Sequence, residues 1–375
     1  MKKLLMTASV YSHIENFHLP YLVEFQRLGW ETHVGCSGIP EEPPACLDRV
    51  FELPLRKKIS SPANFRAAKI LRELIREERY DLIISHTSLA AFFTRLARKG
   101  LELLASWGLQ PVVPDGLYDA DHQYAGTDQH RAAVLQQCLD DPSIRAIFCA
   151  RGGYGTVRIV DRLDFSTFAR QPKWIVGYSD VTVLHSHIRR NLGIQTLHAT
   201  MPLNIPADAV KKDYPSTSSL RQALFGEPLE YAIPAHRLNR QGCALGPVVG
   251  GNLSILYSLC GSPSDIDTDG CILFIEDLDE YLYHVDRMMQ NLRRCGKLKG
   301  LRGLLVGALT DMHDNTIPYG RTVEEIVSDA VADYDYPVCF SAPFGHIGTG
   351  NCALPLGKEA RLNVTPTGCS LSLAV

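Results

Sequence analysis

Short apolar runs closed by turn residues alternate with amphipathic stretches over about the first 200 positions, the pattern of a parallel sheet covered by helices. Lys3 to Ser9, Glu31 to Cys36, Val50 to Leu53 and Asp81 to Ser85 read as strands, with helices over Ile14 to Leu28, Asn64 to Glu78 and Leu89 to Trp107. Further strands are expected at Pro111 to Val113, Ile144 to Ala150 and Trp174 to Tyr178, and helices at Asp128 to Leu139 and Asp180 to Asn191. Between about Pro202 and Gly246 the periodicity fades into Pro-rich sequence, which reads as an interdomain connection. A second α/β region follows, with helices at Asn252 to Leu259, Tyr283 to Arg294 and Val323 to Ala332, and strands at Cys271 to Glu276 and Leu301 to Leu309. The fold class is therefore α/β: a Rossmann-like parallel-sheet N-terminal region joined to a smaller α/β C-terminal domain.

Composition narrows the function classes. The 375 residues are 45% apolar and 21% charged, with a formal net charge of −3, which suits an ordinary globular chain of two to three domains. No apolar run reaches the roughly 18 residues that span a bilayer, and polar Tyr11-Ser12-His13 interrupts the opening apolar stretch, so a cytoplasmic protein with no membrane partner is expected. Eleven cysteines without Cys-x-x-Cys spacing indicate neither a disulfide framework nor a thiolate zinc site. Residues 1 to 99 hold 15 Lys/Arg against 11 Asp/Glu, but only Arg56-Lys57-Lys58 cluster and no nucleic-acid motif accompanies them.

Three segments carry residues suited to chemistry. At Gly177-Tyr178-Ser179-Asp180-Val181 an apolar strand stops at a serine and a helix starts at once, which exposes the hydroxyl and sets the Asp180 amide where an oxyanion is stabilised. The segment half-matches the Gly-x-Ser-x-Gly nucleophile elbow, with Val181 in place of the second glycine; a helix-capping serine is the commoner explanation of such a junction. Arg151-Gly152-Gly153-Tyr154-Gly155 follows a strand in the same way, but its spacing does not fit a dinucleotide fingerprint. Glu276 opens an acidic run with Asp277, Asp279 and Glu280, either a solvated turn or, without a supporting histidine or calcium loop, a poor metal site. His346 lies in the glycine-flanked Pro343-Phe344-Gly345-His346-Ile347-Gly348, whereas His185 and His187 are two apart on a helix and point apart. Ser179, Glu276 and His346 together have the residue types of an acyl-transfer triad, although spacing alone does not bring them together.

These segments resemble the LD-carboxypeptidase family of serine peptidases, which includes murein tetrapeptide carboxypeptidases and microcin C self-immunity peptidases. The resemblance runs from about Leu101 to Val375 through Tyr124 to Asp128, Ile147 to Thr156, Gly177 to Asp180, Gly250 to Leu253, Ile272 to Asp277, Tyr283 with Asp286 to Met288, and Gly345-His346 before Leu354 to Gly357. It implies Ser179 as nucleophile, His346 as general base, Glu276 as its orienting acid, and an oxyanion hole from the Asp180 amide and an amide of the Gly152-Gly153 turn, assigned to Gly153 with Gly152 as the alternative. It also implies a small murein peptide as substrate, no metal or organic cofactor, and a homodimer in many members. A peptide-nucleotide antibiotic as substrate is the alternative within this chemistry.

Residues 1 to about 98 are similar instead to the N-terminal part of a GT-B glycosyltransferase of family 4, through Leu5 to Val10, Asn16 to Pro20, Tyr80 to Thr87 and Thr94 to Ala97. The chain thus reads as a fusion near Lys99-Gly100: a glycosyltransferase-like fragment over 1–80, a nucleophile-bearing domain over 81–205, a linker over 206–242 and a domain carrying the glutamate and histidine over 243–375. Rival readings are a fusion inactive as an enzyme and a residual glycosyltransferase-type binding module. Asp81 to Ser85 is expected to supply the opening strand of the peptidase sheet, leaving residues 1 to about 78 as a separate lobe, so that a chain starting near Arg79 would keep its activity.

Overall fold

A computed structural model of the chain describes residues 2–56, 62–85, 100–114, 117, 121, 124–206 and 208–373. Two compact units, Met1–Val134 and Leu135–Val375, divide it.

In the first unit a parallel four-stranded sheet has the order β3-β2-β1-β4, with β1 Lys2–Val10, β2 Trp30–Ser37, β3 Arg49–Glu52 and β4 Leu82–Ser85. Strand β1 is apolar on both faces, which requires a layer of helix on each side. Leu5 packs with Ala67, Ala68 and Leu71 of the helix Pro62–Glu78, while Leu4, Met6 and Ala8 pack with Tyr11, Ile14 and Leu22 of the helices Tyr11–Phe17 and Leu19–Arg27. The single helix expected over Ile14 to Leu28 breaks at His18, where Pro20 lies in the first turn of the second helix and fits only at such a start. At the amino ends of the strands Lys3 Nζ reaches Glu78 at 2.6 Å and Glu31 at 3.5 Å, and Arg49 pairs with Glu78. Glu31, His33 and Glu78 could together hold a metal ion, but these two cations already balance the carboxylates.

The expectation that Asp81 to Ser85 would join the sheet carrying Ser179 is corrected here. Leu82–Ser85 pairs in parallel with Leu4–Thr7 of β1, Asp81 and Lys3 exchange hydrogen bonds at the strand ends, and the Thr7 and Ser85 hydroxyls meet at 2.7 Å. The physical reason is that β1, buried from Leu4 to Ala8 and interior to its sheet, needs a partner on each edge, and only β4 fills the second. A chain starting near Arg79 would strip β4 of that partner, so the proposed truncation loses its rationale. Residues 100–106 are helical, and the earlier part of the helix expected from Leu89 lies outside the described residues. Pro111 to Val113 is irregular rather than a strand.

In the second unit a four-stranded sheet has the order β13-β7-β6-β5, formed by β5 Ala146–Phe148, β6 Trp174–Gly177, β7 Thr196–His198 and, antiparallel at one edge, β13 Leu354–Leu356. A seven-stranded sheet has the order β12-β11-β10-β9-β14-β15-β8, with β8 Leu229–Pro234, β9 Gly242–Asn252, β10 Ile272–Leu278, β11 Gly303–Thr310, β12 Val338–Cys339, β14 Glu359–Thr365 and β15 Gly368–Leu373. Its β9–β12 part is parallel and its β9-β14-β15-β8 part antiparallel. Residues 206–242, read as a connection, contain the helix Pro215–Leu224 and β8. Strand β8 alternates buried and exposed residues at the sheet edge, where Pro234 breaks no ladder that a central strand would need. Close approach of β9 to β10 depends on Gly250: a Cβ there would lie 2.0 Å from the Phe274 carbonyl oxygen.

Candidate active site

Ser179 lies two residues after the end of β6, at the start of a helical run formed by a 3₁₀ turn, Ser179–Val181, and the helix Thr182–Leu192. Its φ is +65°, a left-handed conformation that costs an L-residue about 1–2 kcal/mol and lifts the side chain out of the turn. Gly152 lets the preceding loop close onto it, since a Cβ at 152 would stand 2.9 Å from Ser179 Cβ and 3.0 Å from Oγ. The Asp180 side chain, 6% exposed, ties the far end of the same loop down by accepting from the Thr156 amide at 2.9 Å and its hydroxyl at 2.7 Å. The Asp180 backbone N–H is among the first of the helical run, which lack intrahelical acceptors.

A second set of contacts links this helix to the strand that carries Glu276. Thr182 Oγ1 accepts from the Asn252 amide at 3.0 Å. Asn252 caps the helix Leu253–Leu259 and donates from Nδ2 to Asp277 at 2.9 Å, and Asp277 also accepts from the amides of Ser254 and Leu278. Burial, with the neighbouring Glu276 charge, pushes the Asp277 carboxyl up to about 6 against the pull of those hydrogen bonds.

Glu276 is fully buried on β10, and His346 Nδ1 lies 2.6 Å from its Oε2. A carboxylate only accepts, so Nδ1 carries the proton and Nε2 is left as the basic nitrogen. The Tyr178 ring meets the His346 ring edge-on at 4.8 Å, and burial pushes the Tyr178 phenol up to about 12. Ser179 and His346 line one cavity of about 210 Å³ together with Arg151, Gly152, Gly153, Tyr178, Met201, Leu203 and Asn204. All three residues of the expected triad, and Gly153 of the expected oxyanion hole, are thus gathered at one place. The acids after Glu276 diverge: Asp277 faces Asn252 and Ser254, Asp279 faces His313, and Glu280 faces His284.

Arg151, Met201, Leu203 and Asn204 were not singled out from sequence as site residues. Arg151 stood inside the glycine-rich motif and was legible there, whereas the other three come from a segment without motif or periodicity.

Two histidines lie in the packing behind the cavity. His198 is enclosed between Tyr178 and Phe274, and burial holds its ring well below the usual histidine range. His185, expected to need no functional reading, donates from Nε2 to the Gly177 carbonyl at 2.9 Å, and burial pushes it down to about 4. Between pH 6.5 and 4 the unfolded chain therefore binds a proton that native His185 refuses, so stability is complete above the unfolded value and falls as pH drops through this window. Its share is on the order of 3 kcal/mol. Urea unfolding at pH 7 and pH 4.5 is expected to show this loss, and His185→Gln, which keeps a donor to Gly177, should reduce the slope; an unchanged slope would remove His185 as its source.

The sequence matches known domains over both parts of this site. Residues 60–199 match the LD-carboxypeptidase N-terminal domain and residues 245–362 the LD-carboxypeptidase C-terminal domain. A probable murein peptide carboxypeptidase of Bacillus subtilis is 36% identical over 278 residues, covering 70% of this chain and 82% of the relative. The chain belongs to the LD-carboxypeptidase family. Another family relative, the murein tetrapeptide carboxypeptidase of Pseudomonas aeruginosa, is 29% identical over 255 residues, 65% of this chain and 81% of the relative. Among solved structures, a muramoyltetrapeptide carboxypeptidase from Oxalobacter formigenes shares the fold with a TM-score of 0.67 at 24% identity, covering 75% of this chain and 94% of its own. The microcin C7 self immunity protein MccF shares it with a TM-score of 0.62 at 21% identity, covering 74% and 90%.

Proposed function

We propose that the chain is a serine-type LD-carboxypeptidase that cleaves the amide between an L-centre and a C-terminal D-amino acid, with the terminal D-Ala of a murein tetrapeptide as its substrate. The observation that carries this reading is the pairing of His346 with buried Glu276 in a cavity that Ser179 shares. Ser179 Oγ attacks the carbonyl carbon and passes its proton to His346 Nε2, and Glu276 offsets the charge of the resulting imidazolium. The tetrahedral oxygen takes the amides of Asp180 and Gly153. Collapse breaks the C–N bond, His346 returns the proton to the leaving amine, and water then releases the acyl-enzyme by the same route. The names of the Bacillus and Pseudomonas relatives favour a murein peptide.

This reading extends to the first unit, which we take to be a fragment of glycosyltransferase type; the order β3-β2-β1-β4, with β1 interior, supports it as half of a doubly wound sheet. A cytoplasmic location belongs to the same reading and is supported by eleven cysteines that are all free.

Incubation of the purified chain with L-Ala-D-Glu-mDAP-D-Ala is expected to release D-Ala at a rate that EDTA does not change, because the base is an imidazole and the oxyanion donors are amides. Absence of D-Ala, or EDTA inhibition reversed by a divalent metal, would count against the mechanism.

A further inference from the structure

An exopeptidase has to recognise the end of its substrate as well as the bond it breaks. In the reaction proposed above the leaving amino acid carries a free carboxylate three bonds from the attacked carbonyl carbon, so a group that reads it must stand close to Ser179. Among the described residues lining the cavity there is no aspartate or glutamate, and Arg151 is the only lysine or arginine. No hydrogen bond or ion pair engages the Arg151 side chain among the described residues. Its position is fixed from the backbone: Arg151 precedes Gly152, whose missing Cβ would lie 3.0 Å from Ser179 Oγ, and adjacent Cα atoms are about 3.8 Å apart. The Arg151 Cα therefore lies within about 8 Å of the nucleophile, a span that a guanidinium stem covers in reaching the carboxylate of a bound residue. The loop that carries it is held at both ends, by Gly152 against Ser179 and by Thr156 on Asp180.

We infer that Arg151 anchors the C-terminal carboxylate of the substrate and so makes the site an exopeptidase site. The inference rests on the serine carboxypeptidase reading and deepens it. A planar guanidinium meets a carboxylate through two parallel hydrogen bonds, which fixes the terminal residue in orientation as well as in place. The oxyanion is served by backbone amides, so Arg151 is free for this second anion. The role is specificity: the arginine binds a part of the substrate that does not change charge during the reaction, and its loss therefore falls on KM rather than kcat.

The test compares L-Ala-D-Glu-mDAP-D-Ala with the same peptide ending in D-alaninamide, in the wild-type chain, Arg151→Ala and Arg151→Lys. Wild type is expected to prefer the acid, and Arg151→Ala to lose about 10- to 100-fold in kcat/KM on the acid, through KM, with a much smaller loss on the amide. Arg151→Lys should recover part of the preference, and KM for the acid should rise with salt, since the pair is exposed. Labelling of Ser179 by a neutral fluorophosphonate should proceed in Arg151→Ala as in wild type, which separates an intact site from a misfolded one. Equal losses on acid and amide, or none on the acid, would overturn the anchor. Binding to Ser179→Ala, measured by calorimetry, reads the anchor without turnover: preference for the acid that disappears in Ser179→Ala/Arg151→Ala supports it, and equal binding of acid and amide overturns it. If wild type cleaves neither peptide while Ser179→Ala still selects the acid through Arg151, the hydrolytic reading fails and the anchor stands.

Discussion

Ser179→Ala is expected to lower hydrolysis by about 10⁴-fold or more while the chain stays folded, because the hydroxyl is the nucleophile of the proposed mechanism and little packing depends on it. The backbone of Ser179 adds a sharper expectation. At φ +65° alanine is strained much as serine is, whereas glycine is not, so Ser179→Gly should be equally inactive yet about 1 kcal/mol more stable than Ser179→Ala. Inactivity joined to a gain in stability would show that the strain belongs to the function of the turn. His346→Ala should be nearly as inactive as Ser179→Ala, and the double variant hardly worse, since the proposed nucleophile and base would act as one unit. Turnover retained by Ser179→Ala, or losses that add in the double variant, would sink the assignment, with D-Ala release and urea midpoints as the two measurements.

The local part of this architecture was legible in the sequence. Strand β6, whose end at Gly177 lies two residues before Ser179, the helix after it and the run Ile272–Glu276 are each set by apolar patterning and by a polar residue where the pattern stops, and those signals lie within a few residues of one another. Pairing between strands is not local. Asp81 to Ser85 has the same apolar character whether it lies beside β1 or beside β6, and only the two exposed edges of β1 decide between them. The same limit hid β8, whose short alternation lies between Pro228 and Pro234 in a stretch that read as a connection. At the site, residue type pointed to Ser179, Glu276 and His346, but the sequence did not show which distant atoms the glycines beside them leave room for. Gly152 and Gly345 matter for the atoms they leave room for, and those atoms come from segments 27 and 69 residues away, Ser179 and Glu276.

The largest effect expected from a residue with no reactive group is at Gly345. Its φ is +107°, and a Cβ there would stand 2.7 Å from Glu276 Oε2 and 2.8 Å from Glu276 Cβ. Glu276 has no room to retreat, being fully buried on a central strand with Gly307 across from its Cβ at 3.4 Å from where a side chain would begin. Gly345→Ala must therefore displace either the carboxylate or the loop, and His346 is the next residue of that loop. A shift of about 1 Å in the base is enough to cost about 10²-fold in rate, so kcat should fall by that factor or more, and fluorophosphonate labelling of Ser179 should slow in parallel. Gly348, three residues on, provides the control: its φ is +59° and nothing lies within 4 Å of a Cβ built there. Gly348→Ala should cost only the strain of a left-handed alanine, about 1–2 kcal/mol in stability, with the rate near that of wild type. Equal behaviour of the two variants would mean that backbone strain alone sets the loss, and that the contact of Gly345 with Glu276 does not hold the base in place.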